Sequence, residues 1–213
     1  MRAFGAELIE AGEDFDAARD VAMRTADERG LAMVPSFHMD LVKGVASYAL
    51  ELFAAFPKLD AVYVPIGLGS GICGVISARD ALGLKAEVIA VTSDIADASA
   101  RSIEAGHIVE GDSARTFADG MATRIPNPEA FAMYSKGVAR VIRVSDDEIA
   151  EAIRIYHEDT HNMAEGAGAA PLAALITEKD RMQGKQCAVI LCGGNIDRDW
   201  AATILSGGTP EPR

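Results

Sequence analysis

Positive charge is scarce in this chain: 20 Lys and Arg stand against 32 Asp and Glu, a formal net charge of −12. Nucleic acids and anionic membrane surfaces bind clustered Lys and Arg, so both are excluded as partners. Cysteine is scarce too. Cys73, Cys187 and Cys192 stand apart with no C-x-x-C pair. That excludes a disulfide framework and a thiolate zinc site, and it fits a reducing compartment. No apolar run approaches the ~20 residues of a membrane span and the N-terminus has no signal pattern, so the simplest placement is cytoplasmic. There is no repeat, and the only low-complexity stretch is a frayed tail expected over Ser206–Arg213. What remains, 49% apolar and 24% charged over 213 residues, is the composition of a globular protein able to bury a core.

The chain is organised around Ala61–Gly74, an apolar run (Ala61-Val62-Tyr63-Val64) that meets a turn with Gly67, Gly69 and Gly71 at alternate positions. Val75–Leu82 then continues as a helix. Glycines spaced this way leave successive backbone N–H groups uncrowded, and such a turn feeding a helix N-terminus can enclose an anion, most often a phosphate.

Around this stretch strands and helices alternate. Met1–Phe4 reads as a helix end closed by Gly5, Ala6–Glu10 and Leu31–Val34 as short strands. A helix runs from near Asp14 to Arg29-Gly30. Leu41–Phe56 is a helix ended by Pro57, and the periodicity predicts further helices over Ala96–Ala105, Asp146 to about His161, Glu165–Gly184 and Arg198–Leu205. Glu87–Val91, Val138–Val144 and a central Gln186–Cys192 read as strands, His107–Pro128 as loop. Ser145-Asp146-Asp147-Glu148 is a capping box. The class is α/β, three-layered, with a mainly parallel sheet.

Three readings of the glycine turn stay open on the residues alone. Gly69-Ser70-Gly71-Ile72-Cys73-Gly74 matches G-x-G-x-x-G after a strand, with Asp94 about 20 residues on, which suits a dinucleotide site. The same glycines could simply let a helix pack against a strand. The third treats the chain as an interaction or structural module that keeps the fold without any chemistry at the turn. His157 and His161 share a helix face, but no H-E-x-x-H pattern accompanies them, and with His38 they read as solvated or capping residues.

Five landmarks in fixed order carry a resemblance over nearly the whole chain: Met1–Leu8, Val64–Gly71, Thr116-Phe117-Ala118-Asp119-Gly120, Glu165–Ala170 and Leu191–Asp197. In these the chain resembles the serine/threonine dehydratases, pyridoxal-phosphate enzymes of the tryptophan-synthase-β fold type. Pro35-Ser36-Phe37-His38 and Asp159-Thr160-His161-Asn162 look more like the branch associated with hydroxyectoine utilisation.

The resemblance implies a remnant of the smaller domain over residues 1–36 and a large cofactor-binding domain over 37–213. It implies pyridoxal 5'-phosphate as cofactor, held by Gly67, Leu68, Gly69, Ser70 and Gly71 around the phosphate. Gly120 lies near the ring in a backbone role, Glu165 close to the cofactor, and Cys192 at the pyridine nitrogen. Leu68 and Ser70 depart from the nearly all-glycine pattern, and Leu68 would resist a positive φ. Leaving aside the resemblance, Glu165 suits a helix N-terminus through the dipole, and Cys192 suits a small residue ending a strand.

Some relatives hold a divalent cation just after the strand ending at Val91; Thr92 and Ala98 stand at two of those positions, so no metal site is expected. The implied reaction is dehydration of a small hydroxy amino acid such as threonine or serine to a 2-oxo acid and ammonia, by a homodimer in the complete enzyme.

The family's Ser-Phe-Lys-type motif, which carries the Schiff-base lysine, does not occur in this sequence, and neither does its substrate-clasping Ser/Asn loop. Lys43, Lys58, Lys85, Lys136, Lys179 and Lys185 stand at unrelated positions. No catalytic residue is therefore assigned. A Met1 inside a predicted helix points to a fragment or a reading frame begun at an internal Met; the alternative is a truncated protein with a binding or partner role.

Overall fold

The computed structural model describes residues 2–13 and 15–212; the predicted helix end at Met1, the helix start at Asp14 and the last tail residue, Arg213, lie outside them. The chain divides into two compact units, Met1–Ser36 and Phe37–Arg213.

In the first unit a single 3-10 turn (Arg2–Phe4) closes at Gly5, where φ is +78°. Helix α1 (Phe15–Arg29) ends at Gly30, also left-handed, and the Leu31 N–H returns to the Ala26 carbonyl. The strands predicted over Ala6–Glu10 and Leu31–Val34 do not form. Among the described residues neither segment pairs with a strand, and alternation alone does not make a sheet.

The second unit is a four-stranded parallel sheet in the order β3-β2-β1-β4, from β1 (Ala61–Pro65), β2 (Glu87–Ser93), β3 (Val138–Val144) and β4 (Cys187–Val189). Because both faces are covered, β1 is apolar along its length and β2 is apolar from Val88 to Val91. On one face Tyr63, Ile89 and Val91 meet α6 (Asp146–Thr160), α7 (Gly166–Thr177) and α8 (Arg198–Leu205). On the other, Val62, Val64, Val88 and Ala90 meet α2 (Met39–Ala55), α3 (Ser70–Ala81) and α5 (Pro128–Gly137). Helix α4 (Ala98–Ala105) follows β2. The result is a three-layer α/β fold. Among the described residues no helix is long and apolar enough to cross a membrane.

Three boundaries differ from the sequence reading. The strand predicted as central over Gln186–Cys192 is shorter and, among the described residues, pairs with β1 alone. The helix predicted to Gly184 stops at Thr177, and hydrogen-bonded turns cover the remainder. The tail is not frayed over its described length: Arg154 donates to the Gly208 carbonyl, Thr209 bonds Asp147, and Pro210 is buried.

The capping box forms as read. The Ser145 hydroxyl accepts from the Glu148 N–H, and the Glu148 carboxylate accepts from the Ser145 N–H at 2.8 Å. We expect Ser145→Ala to cost about 1 kcal/mol, read as a small loss in a urea melt; an unchanged midpoint would contradict it.

Candidate active site

The carboxyl ends of β1 and β4 open onto a cavity of about 670 Å³, within the usual range for small-ligand sites. Its place follows from topology. From β1 the chain winds through β2 to β3 on one side, and β4 returns on the other. The segments leaving β1 and β4 then run to opposite faces of the sheet, and a crevice opens between them.

One wall is the glycine turn. A Cβ on Gly67 would stand 2.2 Å from the Gly120 carbonyl oxygen, so the turn and the Asp119–Met121 3-10 turn touch backbone to backbone. Gly69 has φ +99°, and a Cβ there would strike Ala130 at 2.8 Å. Leu68 needs no positive φ, since His161 is the one non-glycine residue with one among those described.

Gly69 is the N-cap of α3 and offers no side-chain cap. The first amide to bond back is that of Cys73, 3.0 Å from the Gly69 carbonyl oxygen. The N–H groups of Ser70, Gly71 and Ile72 therefore precede the helical ladder at the positive end of a twelve-residue helix. This is a cradle for an anion.

The opposite wall comes from the start of α7 and the end of β4. Glu165 is the N-cap of α7 but does not cap it. Its carboxylate accepts from the Asn195 N–H at 3.0 Å, and its own N–H donates to the Gly193 carbonyl at 3.0 Å. Cys192, past the end of β4, is exposed as a residue and lines the cavity. Burial there, and then the Glu165 carboxylate, push its thiol up to about 11 from an ordinary value near 9. At pH 8 such a thiol holds about one hundredth of the ordinary thiolate, and the thiolate is the reactive form. Iodoacetamide should therefore label Cys192 much more slowly than a cysteine in a short peptide at pH 8, accelerating through pH 10–11. Labelling at the peptide rate would contradict the assignment.

The structure gathers all eight residues singled out by the sequence, Gly67, Leu68, Gly69, Ser70, Gly71, Gly120, Glu165 and Cys192, on this one cavity. It leaves out others. Asp94, the acidic partner of the dinucleotide reading, is not on the wall; burial and then Asp146 raise its carboxyl. None of the six lysines lines the cavity. His38 caps α2 and His161 ends α6. Among the described residues no cluster suited to a metal ion forms, and Thr92 and Ala98 are simply buried. Sequence reasoning missed the α2 wall of Val45, Tyr48 and Leu52 as part of the site, because helical periodicity marks such residues only as core.

A family model described as "Pyridoxal-phosphate dependent enzyme" matches residues 1–193. The chain belongs to that family. It is 32% identical to an L-threonine ammonia-lyase of Thermotoga maritima over 97% of this chain and 52% of that protein. It is 28% identical to an L-threo-3-hydroxyaspartate ammonia-lyase of Saccharomyces cerevisiae, over 98% of this chain and 64% of the other. Among solved structures, a threonine deaminase of T.th. superposes with TM-score 0.83 at 32% identity, covering 92% of this chain and 65% of that one. The processed form of threonine deaminase isoform 2 from Solanum lycopersicum gives 0.88 at 25%, covering 96% and 57%. The fold is thus the tryptophan-synthase-β-like one, and the chain spans about half the length of the first curated relatives it matches.

Proposed function

We propose that the cavity between β1 and β4 binds pyridoxal 5'-phosphate, and that the complete protein dehydrates a small hydroxy amino acid such as threonine or serine to a 2-oxo acid and ammonia. The observation that carries this is the convergence on one crevice of an uncapped helix N-terminus, a glycine turn too tight for any Cβ at Gly67, and Cys192 with Glu165 opposite. These residues fit the group. The amides of the Gly67–Gly71 turn and the Ser70 hydroxyl hold the phosphate, Gly120 supplies a side-chain-free surface, and Cys192 gives the ring nitrogen an uncharged partner.

A thiol at about 11 stays neutral at physiological pH, so it does not enforce protonation of the ring nitrogen as a carboxylate would. When bound, pyridoxal phosphate supplies the electron sink that eases removal of the Cα proton and loss of the β-hydroxyl. Glu165, held by the Asn195 N–H, presents a fixed carboxylate at the same wall. The base that removes the proton is, on this reading, the lysine of the family's Ser-Phe-Lys-type segment, which this sequence does not contain.

We place the protein in the hydroxyectoine-utilising branch on two stretches, Pro35–His38 leading into α2 and Asp159–Asn162 leaving α6, and propose a homodimer for the complete enzyme. Titration with pyridoxal phosphate, followed by its visible absorbance, should saturate, whereas NAD should give no response. Binding of NAD alone would remove the reading in favour of a nucleotide site.

A further inference from the structure

We infer that Tyr48 is a ligand contact at the phosphate end of the cavity, its hydroxyl donating a hydrogen bond to the bound phosphate; this rests on the pyridoxal-phosphate reading above. Helix α2 shows the cavity three side chains, Val45, Tyr48 and Leu52, spaced three and four apart and so on one face. Only Tyr48 carries a polar atom. Its hydroxyl oxygen lies 3.8 Å from where a Cβ of Gly71 would stand, beside the first turn of α3 whose amides precede the helical ladder. With no side chain at position 71, nothing separates the phenol from that turn. Among the described residues no hydrogen bond uses this hydroxyl.

The charge balance of the cavity makes the donor matter. Its lining includes no Lys, Arg or His, and its one ionisable carboxylate is Glu165. A phosphate dianion must then be held by neutral donors and the helix dipole alone: backbone amides, the Ser70 hydroxyl and the Tyr48 phenol. The phenol suits this role because it keeps its proton. Burial, and then Cys192, push it up to about 12, so it donates throughout the range in which the phosphate is charged.

The test is Tyr48→Phe, which keeps the ring and removes only the hydroxyl, read by pyridoxal-phosphate titration and by the 31P resonance of the bound ligand. We expect the dissociation constant to rise about tenfold, as for loss of one hydrogen bond to a charged group, and the 31P resonance to move. An unchanged thermal midpoint shows that the variant folds, and Tyr48→Leu, which removes the ring as well, should weaken binding further. A constant within twofold of wild type, or weaker binding with the 31P resonance unmoved, overturns the inference and leaves the pyridoxal-phosphate reading standing. If wild type itself binds no pyridoxal phosphate, both fall.

Discussion

Gly67→Ala is expected to abolish measurable pyridoxal-phosphate binding, a loss of at least a hundredfold, and to lower the thermal midpoint by about 5–10 °C. The new methyl would stand 2.2 Å from the Gly120 carbonyl oxygen. That neighbour is backbone in a tight turn, so it cannot rotate away, and the two turns must part. Overpacking of this kind costs about 2–3 kcal/mol, which in a chain of this size is several degrees. Parting the turns also removes the geometry on which the amide cradle depends. Gly71→Ala is the matched control, since its methyl would meet Tyr48 at an ordinary 3.8 Å, and it should shift the midpoint by less than 2 °C. Equal losses of thermal midpoint from the two substitutions would show that the glycines matter to stability only as flexible turn residues.

Arg140→Met is expected to be the most destabilising of the substitutions considered, at about 2–4 kcal/mol. Arg140 of β3 donates to both Glu178 oxygens, at 2.9 and 2.7 Å, and to Glu87 of β2 at 2.6 Å. Tyr63 of β1 completes the group with a 2.7 Å bond to Glu178. The guanidinium and the Glu178 carboxylate are only 16% and 14% exposed, so removing the cation leaves a largely buried carboxylate with the Tyr63 hydroxyl and a more distant Arg181 at 3.4 Å as its remaining partners. One arginine thus ties three strands to the residue that ends α7, and the other end of α7 begins at Glu165.

The acid side of the stability curve carries the same signature. Burial acts to raise the Glu178 carboxyl, but the bonds from Arg140 and Tyr63 outweigh it and its net displacement is downward from 4.5. A carboxyl lowered on folding contributes stability fully above its unfolded value and loses it as pH falls through the folded one. Wild type should therefore lose stability below about pH 4.5, and Arg140→Met should show a shallower acid limb. Parallel limbs in urea melts between pH 3 and 7 would contradict this.

Much of this fold is written in local patterns. Val62–Val64 and Val88–Val91 read as buried strands because both faces of the sheet are covered, and Ser145–Glu148 marks a helix start by its own hydrogen bonds. Helix α5 is not among the predicted elements, although Asn127-Pro128 is a start signal: Asn127 accepts from the Glu129 and Ala130 N–H groups, and proline takes the first helical position. The polar, punctuated stretch before it masks that signal.

The strands expected at 6–10 and 31–34 fail for a different reason, since pairing is a tertiary event that alternation does not encode. The glycine turn is legible as an anion cradle. That it meets Glu165 and Cys192 across a crevice is not, because those residues lie about 100 and 120 positions away and only the topology joins them. Tyr48 is hidden for the same reason: on a helix face packed against α3, periodicity cannot separate core from cavity wall.

A crystal structure of the chain grown with pyridoxal 5'-phosphate tests the central claim most directly. The account requires the phosphate on the amides of Gly67–Gly71, with the ring nitrogen toward Cys192 and the ring beside Gly120. Ligand density anywhere other than the crevice between β1 and β4, or in that crevice with the phosphate turned toward Glu165, would contradict it.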